Sequence, residues 1–82
     1  MNKRIGIVSI ILTNREKQVS NVNRIISDHA SIIIGPMGIP YPNKGINIIS
    51  LIINGNTDEI GSLTGKLGSI NDVQVKSVLA KI

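Results

Sequence analysis

The chain contains itself twice. Residues 5–11 read Ile-Gly-Ile-Val-Ser-Ile-Ile, and residues 46–52 read Ile-Asn-Ile-Ile-Ser-Leu-Ile, an offset of 41 in an 82-residue sequence. At the same offset Val19 maps onto Ile60, Val22 onto Leu63, Ile26 onto Leu67, Ile32 onto Val73 and Ile34 onto Val75. A self-similarity held across a half-chain means that one supersecondary unit occurs twice. Each unit reads apolar strand, amphipathic helix, apolar strand, so the chain is expected to form a single domain of two βαβ half-repeats, about 1–41 and 42–82.

The first strand covers roughly Lys3 to Leu12, ahead of Thr13-Asn14, where Asn14 can cap a helix of about Arg15 to His29. Val19, Val22 and Ile26 recur on that helix at three- and four-residue spacing. The second strand is expected over Ile32 to Ile39. Pro36, Pro40 and Pro42 cluster there, giving one stiff connection around Pro40-Tyr41-Pro42-Asn43-Lys44-Gly45. The third strand runs from Ile46 to Asn54, and Asn56 or Thr57 caps a helix reaching Leu67. Asp58 and Glu59 sit at the positive end of that helix. Gly68 suits the left-handed stop, and the fourth strand spans about Val73 to Ala80.

A β-α-β-β-α-β order with right-handed crossovers leaves few topologies. The expected fold is α+β, a ferredoxin-like sandwich with antiparallel sheet order 4-1-3-2 and both helices on one face. Strands one and three, the most apolar, then lie in the centre.

Alternation puts Val8, Ile10 and Leu12 on one side of the first strand and Ile5, Ile7, Ser9 and Ile11 on the other. The third strand divides likewise into Ile49, Leu51 and Ile53 against Ile46, Ile48, Ser50 and Ile52. A half-solvated antiparallel sheet should carry polar residues on its open face. Here both faces are aliphatic, and two helices cover only one. A second copy of the chain is the simplest cover, so the set Ile5, Ile7, Ser9, Ile11, Ile46, Ile48, Ser50 and Ile52 is expected to form the interface of a homo-oligomer, dimer or tetramer.

Composition excludes most chemistry. The chain has no cysteine and one aromatic residue, Tyr41, against eighteen isoleucines. Thiol catalysis, zinc-thiolate sites and iron–sulfur ligation are out. The single histidine, His29, has no ligand-like companions and reads as a solvated or capping residue, so no metal and no cofactor are expected. No pair of the five acidic residues is spaced for acid–base work, and no enzyme is expected. Net charge is +4, but the nine basic residues are scattered and no aromatics interleave them, so neither specific duplex recognition nor base stacking is expected. The longest apolar run, Ile5 to Leu12, is too short to span a bilayer, and no signal-peptide pattern is present. Localisation is expected to be cytoplasmic.

Two motifs fail on inspection. Gly61-Ser62-Leu63-Thr64-Gly65-Lys66 has three residues between its glycines where a phosphate loop needs four, and Leu67 follows where Ser or Thr is required. Gly61 and Gly65 instead read as a small-residue face for close packing on the sheet or on a partner. Gly35-Pro36-Met37-Gly38 has the outline of a KH-type clamp but sits in a strand rather than between helices.

The segments Ile34-Gly35-Pro36-Met37-Gly38-Ile39-Pro40-Tyr41, Ile49-Ser50-Leu51-Ile52, Thr57-Asp58-Glu59-Ile60-Gly61 and Thr64-Gly65-Lys66-Leu67-Gly68, with Val73-Gln74-Val75-Lys76-Ser77, closely resemble the family of iron-only hydrogenase system regulators. That family is similar to ACT domains and to the effector-binding half of nickel-responsive repressors. The resemblance implies a non-enzymatic regulatory module that acts as an oligomer through a small ligand or a protein partner. The alternative is a structural or interaction module with no ligand. In ACT domains the turn after the first strand holds an effector between subunits. The matching stretch here is Leu12-Thr13-Asn14-Arg15, without the usual glycine. Its helix-terminal amides and Arg15 suit a small anion or carboxylate. The implied ligand site is Thr13, Asn14 and Arg15, with Gly35, Met37, Gly38 and Tyr41 forming a wall. Pro36 stands where the family often has an arginine, which removes one cationic side chain from that wall.

Overall fold

The computed structural model describes residues 3–13, 15–41 and 46–80; for residues 15, 16 and 36–41 it describes the backbone alone. Six main elements follow one another: β1 (Arg4–Leu12), α1 (Arg15–Asp28), β2 (Ile33–Tyr41), β3 (Ile46–Gly55), α2 (Thr57–Gly68) and β4 (Val73–Leu79), with a short 3-10 turn at Ala30–Ile32 before β2. The four strands form one antiparallel sheet in the order β2-β3-β1-β4, which counted from the β4 edge is 4-1-3-2. Connectivity and order are consistent with a ferredoxin-like fold.

The core lies on one side of the sheet. Val8, Ile10 and Leu12 of β1 and Leu51 and Ile53 of β3 are fully buried. They pack with Val22 of α1 and with Ile60, Leu63 and Leu67 of α2, so both helices cover this face. On α2 the buried residues recur at three- and four-residue spacing, as an amphipathic helix on a sheet requires. On α1 the buried stripe is broader than Val19, Val22 and Ile26. It includes Gln18, 8% exposed, whose Oε1 accepts a hydrogen bond from Asn21 Nδ2 at 3.0 Å, and Ile25 packs at its margin.

The start of α2 is closed by a full capping box. Asn56 Oδ1 accepts from the Glu59 amide at 2.8 Å, and Glu59 Oε1 accepts from the Asn56 amide at 2.9 Å. The expected cap of α1, Asn14, lies outside the described residues. The end of α2 differs from expectation. Gly68 is its last helical residue and is not left-handed; Ser69 caps the helix in ordinary right-handed geometry, with its amide donating to the Gly65 carbonyl. The left-handed residue is Asp72, φ 66°, next to β4. The turn Ser69–Asp72 reverses the chain after the helix instead of at it, and aspartate is among the few non-glycine residues that adopt this conformation readily.

The prolines also fall differently. Pro36 lies within β2 as the expected strand already had it, but Pro40 and Tyr41 also belong to β2 and not to the connection after it, and Pro42 is outside the described residues. A strand with two residues unable to donate to a ladder belongs at a sheet edge, and β2 is an edge strand. A bulge at Ile34 shifts its register between Ile33↔Ile53 and Gly35↔Ile52.

Candidate functional site

The side of the sheet away from the helices is a grid. Registers place Ile7 opposite Ile52, Ser9 opposite Ser50, and Ile11 opposite Ile48 across the β1–β3 pair. On the β4 side Val78, Lys76 and Gln74 stand beside Ile7, Ser9 and Ile11. On the β2 side the matching positions are Gly35, Met37 and Ile39. Directly opposed residues of an antiparallel pair share a face, so the central rows are isoleucine, serine, isoleucine on both strands.

These isoleucines are bare. Ile5 is 46% exposed, Ile7 49%, Ile48 39% and Ile52 39%, and Val78 is 71% exposed on the flanking edge. Ser9, Ile11, Ile46 and Ser50 are half-buried by their neighbours. Across the paired rows from Ile7 to Ile11 the described residues of β1, β3 and β4 carry one charge, Lys76, beside Ser9.

The turn after β1 is built tightly. The Thr13 amide donates to the Asp72 carbonyl at 2.9 Å, and the Thr13 hydroxyl donates to the same oxygen at 3.1 Å. Thr13 therefore joins the end of β1 to the turn before β4. Both of its donors are engaged, so toward an anion it offers no free donor. Asn14 lies outside the described residues, and Arg15 contributes the first residue of α1 with its side chain outside the description.

The residues expected to wall this turn are spread along β2. Tyr41 pairs with Ile46 at the same end of the sheet as Thr13, whereas Gly38 pairs with Ile49, Met37 with Ser50 and Gly35 with Ile52 toward its middle. β3 lies between β2 and β1. Within one chain, only the Tyr41 end approaches the Thr13 end of the sheet. Nearby, the Oδ1 of Asn47, opposite both Leu12 and Pro40, is buried without a hydrogen-bond partner among the described residues.

At the far end of the sheet, where α1 ends and α2 begins, a cleft of about 360 Å³ is lined by Asp28, His29, Ser31, Ile32, Asp58, Glu59 and Ser62. His29 Nδ1 lies 2.8 Å from the Ile25 carbonyl and Nε2 lies 3.3 Å from Ser62 Oγ. The ring caps the end of α1 and ties it to α2. Glu59 is committed to its capping box. The polarity is anionic, opposite to that of the anion site expected near Thr13, and no group of three or more metal-capable side chains occurs among the described residues. His29 as a capping residue and Asp58-Glu59 as helix-terminus charge were both legible in the sequence. Their meeting in one cleft depends on the packing of α1 against α2.

Gly61 and Gly65 do not pack on the sheet. A Cβ at either would meet nothing within 4 Å, and both are exposed on α2. The glycine that needs its missing side chain is Gly6, where a Cβ would stand 2.6 Å from the Val78 carbonyl and 2.8 Å from a Leu79 methyl.

Two helices on one face of a four-stranded antiparallel sheet, with bare aliphatics on the other, define a small α+β module. No helix among the described residues is long and apolar enough to cross a membrane. The chain belongs to the TM1266-like family, described as "Iron-only hydrogenase system regulator, putative", whose model matches residues 4–77. Its fold is similar to the solved structure of the uncharacterized protein TM1266 from Thermotoga maritima, with TM-score 0.94 and 36% sequence identity over 98% of this chain and 100% of that one. No curated protein matches.

Proposed function

We propose that this chain is a non-enzymatic, ACT-like regulatory module of the iron-only hydrogenase system, and that it works as a homo-oligomer assembled through its open sheet face. The observation that carries the reading is the exposure of Ile7, Ile48 and Ile52 in the middle of a sheet whose other face is already covered. Burying apolar surface contributes roughly 25 cal/mol per Å², and paired rows that carry one charge, at their margin, offer little polar penalty against association. Family membership supports the regulatory part. The described residues form two helices packed on a sheet and no helix-turn-helix or ribbon-helix-helix segment, so under this reading control of transcription passes through a partner protein.

A small carboxylate or other anion is the effector class that suits the start of α1, since the first turn of a helix leaves amides without partners inside the helix and the sequence there brings Arg15 and Lys17. Tyr41, at the same end of the sheet, is the nearest element of the wall. Calorimetry against amino acids, nucleotides and simple anions tests this part. Binding below millimolar that weakens in Arg15→Ala supports it, and the absence of any such binding removes the effector.

A second reading is favoured by one contact. Thr13 spends its amide and its hydroxyl on the Asp72 carbonyl, so the turn is already closed on itself as a structural joint. Under this reading the module assembles and docks a partner protein but senses no small molecule.

A further inference from the structure

The repeat that builds the fold also gives the open face a symmetry of its own. Because β1 and β3 are antiparallel and pair Ile7↔Ile52, Ser9↔Ser50 and Ile11↔Ile48, a half-turn about an axis normal to the sheet between Ser9 and Ser50 exchanges the two strands. It carries Ile7 onto Ile48 and Ile11 onto Ile52, the pairs related by the 41-residue offset. Such a face can meet a second copy of itself in two ways that the isoleucines and serines cannot tell apart. The choice must come from the outer strands, where the half-turn sets Lys76 beside Ser9 against Met37 beside Ser50.

We infer that Lys76 selects the orientation of a face-to-face pair, stacking β4 of one copy over β2 of its partner. This rests on the assembly proposed above. A second copy is the occupant because the area suffices. Strands of nine, nine, ten and seven residues, at about 3.3 Å per residue and about 4.8 Å apart, give a face of roughly 550 Å². Two such faces bury about 1,100 Å², above the roughly 1,000 Å² that a specific interface needs.

Packed sheets keep their strands nearly aligned or cross them at right angles. With the two-fold axis in the plane and perpendicular to the strands, β4 lies over β4 and the two Lys76 ammonium groups meet head-on. With orthogonal crossing, each Lys76 is carried over an isoleucine row, and an unpaired charge is desolvated. With the axis parallel to the strands, Lys76 lies over Met37 of the partner subunit, at an edge where its ammonium reaches water and where no like charge faces it. The two lysines are then three strand spacings apart. Only this arrangement avoids both costs.

The absence of cysteine makes the test direct. Val78→Cys/Gly35→Cys and Val78→Cys/Gln74→Cys, both retaining Lys76, are treated with the short thiol-bridging reagent dibromobimane, alongside Lys76→Ala/Val78→Cys/Gln74→Cys. The expected result is covalent dimer from Val78→Cys/Gly35→Cys, none from Val78→Cys/Gln74→Cys, and bridging of that second pair once Lys76→Ala removes the head-on charges. Efficient bridging by Val78→Cys/Gln74→Cys with Lys76 in place, or none after Lys76→Ala, overturns the selection by Lys76 and leaves the assembly standing. Light scattering of the untreated variants and the parent as monomers removes the assembly, and the orientation with it.

Discussion

Thr13 and Asp72 form a joint between the two ends of the fold: one backbone carbonyl, that of Asp72, accepts both the Thr13 amide at 2.9 Å and the Thr13 hydroxyl at 3.1 Å. The accepting residue is itself held at φ 66°. Removing the hydroxyl in Thr13→Val leaves the amide bond in place and should cost about 0.5–1.5 kcal/mol, the net value of one hydrogen bond. Asp72→Gly should be neutral or stabilising by up to about 1 kcal/mol, whereas Asp72→Val, a branched residue forced left-handed, should lose about 1–2 kcal/mol. Urea denaturation of the three variants checks the order; a stabilised Asp72→Val would contradict the assigned backbone.

The glycines divide by what surrounds them. Gly61→Ala and Gly65→Ala meet open space on α2 and should each stabilise by about 0.5–1 kcal/mol through helix propensity. Gly6→Ala drives a methyl into the Val78 carbonyl and should destabilise by about 1–3 kcal/mol. Thermal melts separate the two groups. A destabilised Gly61→Ala or Gly65→Ala would mean that this helix face is covered by something outside the single chain.

Asn56 holds the start of α2 through a reciprocal pair of hydrogen bonds with Glu59. Asn56→Ala should cost about 1 kcal/mol, within the 0.5–2 range for a lost cap. Leu63→Ala, in the centre of the same helix's buried stripe, should cost about 2–5 kcal/mol. If the Asn56 variant proves the more damaging, the packing of α2 on the sheet has been overestimated relative to its cap.

Much of this architecture was legible because the repeat and the two-residue alternation act locally. Ser9 and Ser50 interrupt their strands at equivalent places, and the antiparallel register of β1 and β3 centres on that pair, so the two stand opposite each other. The order Asn56, Thr57, Asp58, Glu59 offered Asn56 or Thr57 as the cap, and the reciprocal bonds with Glu59 fall on Asn56. The misreadings arose where one residue type serves two geometries. Gly68 fits a left-handed stop, yet the reversal falls four residues later at Asp72, which aspartate permits. Pro40 marks a stiff segment whether it is a loop or the end of an edge strand, and only the pairing of Pro40 and Tyr41 with β3 makes it strand. The candidate ligand site was less legible. Thr13 is polar and precedes a helix, but its donors are consumed by a carbonyl 59 residues away, and no local pattern encodes that contact. The cleft between His29 and Asp58 depends in the same way on two helix ends meeting in space.

The central claim is that the bare face of the sheet is an interface between copies of this chain, and light scattering at micromolar concentration tests it most directly. The prediction is a mass of at least twice the 8.8 kDa of one chain, falling to one chain in Ile48→Lys, which would bury an uncompensated charge at the centre of the contact while leaving the helix-covered core and the circular dichroism spectrum intact. A parent protein that scatters as a single 8.8 kDa chain would contradict the account.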